Sequence, residues 1–435
     1  NTGAYSVICG GKGNLCGGFD VFIGAGKYNQ AIGTGVGVVG GAYNKAAGLY
    51  SFILSGQNCT ASGPNSIVIG GKSNVCIGDS GGVINGHKNR VSTIASFVLI
   101  GTGQYNSIVG SSSSATILNG KNNQIQVLGG YSTILNGISN SVGCAYSTIV
   151  NGYNNRIDSL SLSSLIGGGS YNTVNGAVRN SAIVTGLNNT IDASYNSAIL
   201  NGTCNKISSG ANYSCILAGY RQMVSGANSG IDGGHNNVVS GIDSIIAGGS
   251  YNTVQSNKSI ILAGNFNNIS VDADFSGILA GTCNKIDALA VDSAIIGGNC
   301  NRIGSSVGHS IIIGGSGQYA GSSKQLLLAG CNGVFCQGIN NFTLAGGASA
   351  VYIGMVGACN HRLGLPVSSI RYKENVKNIA DETLDLLSKI NPVEFRYKND
   401  ADKVRHFGLI AEELQTVIPE ACRYNSSGEI EGVNY

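Results

Sequence analysis

The chain has 435 residues, of which 68 are Gly, only 4 are Pro and none is Trp, and its formal net charge is +3. So small a charge over that length, with no basic stripe and no interleaving of aromatic and basic residues, excludes the pattern of a nucleic-acid binder. Glycine without a strict every-third-residue period excludes collagen, and the steady supply of β-branched residues excludes disorder.

From the start to about position 360 the chain repeats one pattern. The stretches YSTILNGISNSV (131–142), YSTIVNGYNNRI (146–157), NSAIVTGLNNTI (180–191) and DSIIAGGSYNTV (243–254) each place a small polar residue before a short apolar run. A glycine, two variable residues, an asparagine and a β-branched residue follow. The G-x-x-N element marks Asn14, Asn29, Asn44, then Asn74, Asn89 and onward through Asn205; it resumes at Asn237, runs to Asn301 and returns at Asn360. Its steps are 15 to 17 residues, with two near-double steps, after Asn44 and Asn205, read as degenerate copies. A fixed short period is an array.

The unit is too short for the helices of an α-helical array, and the alternation in S-x-I-x-x-G is that of a strand with one buried face. Glycine reaches φ > 0 without penalty and asparagine tolerates left-handed geometry, so both are assigned to corners. Two short strands and two corners per turn predict an all-β, elongated parallel β-solenoid or β-roll, its core an inward ladder of Ile, Val and Leu that neighbouring turns bury jointly. Pro64 is the one proline in the body, as continuous strand pairing requires.

The 13 cysteines are odd in number and scattered. Cys204, Cys283, Cys300 and Cys359 share the register just before the repeat asparagine, which predicts a column of free thiols and not disulfides. No close cysteine pair with histidines points to a metal, and no cofactor is expected. The usage favours folding in a reducing compartment. No apolar run reaches membrane-spanning length. No secretory leader is read, and the true beginning is expected upstream of Asn1. Tyr28, Tyr43, Tyr105, Tyr153, Tyr171 and Tyr251, at a variable position before the repeat asparagine, suit either a recognition face or packing between turns.

Charge then changes abruptly. Of the 25 Lys+Arg and 22 Asp+Glu, 16 and 10 precede Ser368, so the last 68 residues have the composition of an ordinary globular domain. The expected division is a stalk over 1–363, a linker over 364–367 containing Pro366, and a small α+β domain over 368–435. In that domain Asp381 is expected to cap a helix through Leu384, Leu387 and Ile390, with a strand over 393–397. The segment 407–410 leads to a second helix whose apolar positions include Leu409, Leu414 and Ile418, stopped by Pro419.

The text SSIRYKENV, LLSKINPVEFRYK and HFGLIAEELQTVIPE in this tail resembles the peptidase S74 family, the intramolecular chaperone and auto-processing domains at the C-termini of endosialidase-type tailspikes and other viral fibres. The glycine- and asparagine-rich array is more loosely similar to the head-like β repeats of fibre proteins, giant-virus ones included. The resemblance implies a homotrimer, templated by the tail, that cuts itself at Val367–Ser368 with Ser368 as nucleophile and Lys373, five residues on, as base. A lysine serves as base only when desolvation or nearby charge keeps it neutral. Arg371 and Asn375 are supporting candidates on the oxyanion side, with an ion pair and a helix cap as their alternative roles. Ser369 departs from the acidic residue expected after the leading serine. His406, beside Phe407, is read as packed and structural. The family's domain usually continues into long helices, so this copy is expected to be incomplete after Tyr435.

The functional expectation is a structural or host-attachment fibre on a virion surface. Its partners would be further copies of itself, other virion proteins on the N-terminal side, and a host-surface receptor or glycan, with no nucleic acid and no membrane insertion. Two alternatives are a glycan-degrading tailspike, which would need paired carboxylates across a groove, and a cellular adhesin or membrane-anchored regulator carrying the same processing domain.

Overall fold

The computed structural model describes residues 4–92, 95–126, 128, 130–328, 352–355, 361–364, 387–396, 405–424 and 429–433. The chain divides into two compact units, Asn1–Ala329 and Gly330–Tyr435.

The first unit is an elongated parallel β-solenoid. Strands mostly two residues long stack into two ladders, one of 21 strands from Val7–Ile8 to Leu326–Leu328 and one of 20 from Leu15–Cys16 to Tyr319–Ala320. Each coil contributes one strand to each ladder and pairs in parallel with the next coil. Thr133 and Ile134 sit opposite Thr148 and Ile149, and Ser141 and Val142 opposite Arg156 and Ile157. The second residue of each pair points inward: Ile134, Ile149 and Ile166 in the first ladder, and Val142, Ile157 and Val174 in the second, are buried. In the first coils the second ladder carries smaller core residues, Cys16, Ala31, Ala46, Ala61 and Cys76. There Val21 and Val36 add apolar volume at the corner.

The corners are built differently from the expectation. The repeat asparagines do not take left-handed backbone geometry; the residue before each does, as at Tyr28 (φ 53°), Tyr43 (φ 58°) and Tyr171 (φ 57°). The asparagine itself is buried and bonds across coils. Asn155 Nδ2 donates to the carbonyls of Asn151 at 3.3 Å and Gly169, in the next coil, at 2.9 Å. Its Oδ1 accepts the Asn172 N–H at 3.0 Å, while its own N–H donates to Asn140 Oδ1 at 3.0 Å. One amide therefore satisfies two carbonyls and one N–H that burial would otherwise orphan. The glycine three residues earlier is obligatory here: a Cβ on Gly152 (φ 115°) would lie 2.2 Å from the Gly169 carbonyl oxygen and 2.3 Å from Asn155 Nδ2.

The two near-double steps are not missing coils. Cys59 and Gln222 occupy the asparagine position in coils of normal strand register. Cys59 N–H donates to Asn44 Oδ1, and Gln222 Oε1 accepts the Asn237 N–H at 2.9 Å. The longer glutamine keeps the acceptor but loses the donor, for its Nε2 has no hydrogen-bond partner. At the opposite corner the small polar residue forms a second ladder, in which Ser132 Oγ accepts the Ser147 N–H and donates to the Cys144 carbonyl at 2.7 Å. It continues from Ser197 through Ser310.

The two outer faces differ. The outward residue of each first-ladder strand is uncharged throughout, whereas the second ladder shows Lys45, Arg90, Arg156, Lys206, Lys285 and Arg302 at that position.

The second unit is a small mixed α/β segment. Pro392–Phe395 pairs antiparallel with His406–Leu409, Cys422–Tyr424 with Ile430–Val433, and Tyr352–Met355 with His361–Gly364. The helix Ala411–Gln415 buries Leu414, and the 3-10 turn Pro419–Ala421 follows. Leu409, expected on the helix, closes the preceding strand, because the chain leaves extended geometry only at Ile410 (φ −85°, ψ 125°). The Asp381 cap and Asn360 lie outside the described residues.

Two substitutions test the ladder. Asn155→Ala should cost about 2–5 kcal/mol locally, through an orphaned N–H and two orphaned carbonyls, while Gln222→Asn should stabilise its coil by about 1 kcal/mol by restoring the missing donor. Stacked coils need not unfold in one step. Amide hydrogen exchange near Asn172 and Asn237 is the appropriate measure, with protection falling in the first variant and rising in the second.

Candidate functional site

The expected processing residues Val367, Ser368, Arg371, Lys373 and Asn375 lie outside the described residues. What the structure describes is the core of the domain that carries them. Leu414 packs from the helix, and its N–H donates to the Ile410 carbonyl at 3.0 Å. Cys422 Sγ reaches the Ala411 carbonyl at 3.5 Å, tying the helix start to the following strand. Asn391 Nδ2 donates to Glu413 Oε2 at 3.1 Å, linking the start of the hairpin to the helix. Along the hairpin, the His406 ring stacks on Phe395 at 5.8 Å, the packed role expected of it, and Arg405 lies over Phe407 at 5.4 Å and 3.6 Å from Glu394. A shallow cleft runs between Ile390, Leu409, Glu412 and Val417.

In the body, four of the described carboxylates are engaged by cationic or N–H groups. Asp287, almost wholly buried, sits between Lys285 at 2.9 Å and the Arg302 guanidinium. The Ser159 N–H and, behind it, the Arg156 guanidinium hold the Asp158 carboxyl below its ordinary range. Asp274 accepts the Asn257 N–H at 2.8 Å, and Asp292 lies 3.4 Å from His309. This gives no support to a glycosidase arrangement. Among the described residues no group of three His, Cys, Asp or Glu could hold a metal, and no helix is long and apolar enough to cross a membrane.

The six tyrosines singled out from the sequence all meet a ring of an adjacent coil. Tyr28 stacks on Tyr43 at 5.2 Å, Tyr153 meets Tyr171 edge-on at 5.3 Å, and Tyr105 meets His87 at 5.5 Å. Tyr251 lies between His235 and Phe266, at 5.4 and 4.9 Å. Contacts of this kind contribute about 0.5–1.5 kcal/mol per pair and help offset the cost of left-handed backbone at large residues. They favour inter-coil packing over an open recognition face.

The thiol column is shorter than expected. Cys283 and Cys300 stand on successive coils, and desolvation, followed by the neighbouring Cys300 thiol, raises the Cys283 pKa. Cys204 stands apart, accepting from Asn188 Nδ2 at 3.6 Å, because Arg221, Asn236, Tyr251 and Phe266 fill the intervening positions. Cys359 lies outside the described residues. None of the ten described cysteines forms a disulfide.

With this geometry in place, comparison identifies the class of the tail. Residues 368–423 match the Peptidase_S74 family, the chaperone of endosialidase. The chain is thus a solenoid repeat protein that bears a chaperone-of-endosialidase domain near its C-terminus. No curated protein matches it.

Burial sets a pH limit on the body. Desolvation pushes the Cys76 thiol from an ordinary 9.0 to about 12, and raises Cys16, Cys59 and Cys144 as well. A thiol held neutral by folding leaves stability untouched below pH 9 and removes it as pH rises between about 9 and 12, where the unfolded chain alone ionises. Thermal unfolding should therefore be flat to pH 9 and fall above it, with a shallower fall in Cys76→Val. Iodoacetamide at pH 8 should modify Cys283 and Cys300 but spare Cys76 in the folded protein.

Proposed function

We propose that this chain is the shaft of a homotrimeric virion fibre or spike, built by a C-terminal domain that gathers three chains and then releases itself. The observation that carries the reading is the chaperone-of-endosialidase match at 368–423, next to a long parallel solenoid. A solenoid needs such help. Its pairings are non-local along each chain, slow to form and open to register error, and three chains aligned at one end would start in the same register. The reading assigns residues 1–363 to the stalk, 364–367 to a linker and 368–435 to the chaperone. The N-terminal side would join other virion proteins, and the shaft would present itself to a host-surface receptor or glycan.

Cleavage at Val367–Ser368 follows from the placement of a hydroxyl on the residue that supplies the leaving amine. Lys373, kept neutral by burial on assembly, takes the Ser368 Oγ proton. Oγ attacks the Val367 carbonyl carbon through a five-membered ring. The C–N bond breaks as the Ser368 nitrogen accepts a proton, leaving an ester that water hydrolyses to a Val367 carboxylate and the free hydroxyl. Arg371 and Asn375 are assigned to the developing oxyanion. The reaction turns over once and would report completed assembly.

The test expresses the full-length gene, with Ser368→Ala and Lys373→Met versions, and records intact and native masses. The proposal expects a trimeric body ending at Val367 plus a released tail in the parent. The alanine version stays whole and trimeric, and the methionine version is cleaved at least tenfold more slowly. Cleavage of the alanine version at the same bond would overturn the assignment of Ser368, and a monomeric parent would overturn the fibre.

A further inference from the structure

We propose that the outer face of the first ladder is the surface along which copies of this chain pack against one another; this deepens the fibre reading and rests on it. Two columns of side chains define the face, one residue before and one after each buried Ile or Val. The column before it contains no charge in any of its 21 strands. The column after it is mostly aliphatic, interrupted by Cys9, Gly24, Gly101 and Gly167, with Asp232 its one charge. These side chains stand clear of their own coil: Leu118 is 49% exposed, Val184 47% and Leu217 41%. On the second ladder the corresponding position after the core residue is mixed: aliphatic at Ile32, Ala47, Ile77 and Val109, polar at Asp158, Asp192, Ser208 and Ser225.

Stacked at ~4.8 Å, the rungs extend the apolar face over ~100 Å, and two columns ~7 Å apart make at least ~700 Å² of it. That exceeds the patch of roughly 300–600 Å² that a soluble monomer usually leaves open. It approaches the ~800 Å² per partner of a stable interface.

The occupant is another copy of the same chain, for two reasons. A second solenoid presents side-chain rows at the same rung spacing, so its aliphatic columns mesh over the whole length. In addition, copies related by a rotation axis along the shaft bring identical residues of each layer together. A charge there would meet its own likeness in every layer, at the cost of like charges in close apposition. An uncharged column on one face, while the equivalent column of the other face holds Lys and Arg, is what such symmetry requires. A foreign partner would impose no such rule.

Hydroxyl-radical footprinting of the unsubstituted oligomer is the first test. Leu118, Leu135 and Leu200, between 38 and 49% exposed in the single chain, should label several-fold more slowly than the corner residues Leu160 and Leu289, at 63 and 55%. The second test compares Leu118→Lys/Leu135→Lys/Leu200→Lys with a matched set on the other face, Gln124→Lys/Thr173→Lys/Met223→Lys, by native mass and circular dichroism. The first set should lose the oligomer while keeping its β signal, and the second should keep both. If the first set fails to fold, the footprint decides. Full labelling of the three leucines in an intact oligomer, or an undiminished oligomer in the first lysine set, would overturn this face and leave the trimeric fibre standing. A monomeric unsubstituted chain would defeat both.

Discussion

Each coil of the body hands its backbone N–H and C=O groups to the coils on either side, and a buried amide in nearly every coil fixes the register of that exchange. The asparagine column ties two carbonyls and one N–H at the tightest corner, where ordinary strand pairing has already ended. The rest of the body depends on this. Glycine precedes the asparagine by three because the next coil's carbonyl leaves no room for a Cβ. The second of the two residues between them takes left-handed backbone, and rings there stack from coil to coil. Burial of Ile and Val is shared between coils and follows from the same spacing.

The same regularity makes assembly difficult. A coil shifted by one repeat meets another Gly, Asn and Ile and satisfies almost the same hydrogen bonds, so local chemistry discriminates weakly among registers. Discrimination must come from the irregular coils and from outside the stack. Cys59 and Gln222 break the amide column, Val21 and Val36 replace the serine of the opposite corner, and Ser51 and Ser66 leave hydroxyls without partners. These cost stability but give the array landmarks. A chaperone domain at one end supplies a further landmark if it brings chains together at a common point, which accords with the family match there.

Much of this fold was legible in the residues. The period, the two strands and two corners per turn, and the inward Ile and Val ladder follow from glycine spacing and alternation, since strands of two residues leave few other solutions. The repeat asparagine was misassigned as the left-handed residue because its propensity for that geometry is genuine. Here Tyr, Cys, Lys and, in some coils, a different asparagine such as Asn154 occupy the strained position, and the repeat asparagine is retained for its amide. The near-double steps were legible as degenerate copies, and Cys59 and Gln222 fill them, because a coil requires backbone register and not side-chain identity. The difference between the two outer faces was hidden, since residues flanking Ile134 and Val142 are adjacent in sequence to equivalent core positions and separate only when coils stack. In the tail, Leu409 suits a strand and a helix equally by hydrophobicity, and pairing with Pro392 decided the matter. The proposed processing dyad, Ser368 and Lys373, rests on residue type, spacing and the family match alone.

The most direct measurement is refolding. The uncleaved Ser368→Ala chain and a body lacking residues 368–435 would each be unfolded in guanidinium, diluted, and assayed for soluble oligomer of native mass. An oligomer recovered in quantity from the chain that keeps its tail, with misregistered aggregate from the body alone, is the predicted result. Equal recovery of the native oligomer without residues 368–435 would contradict a chaperone role for the tail.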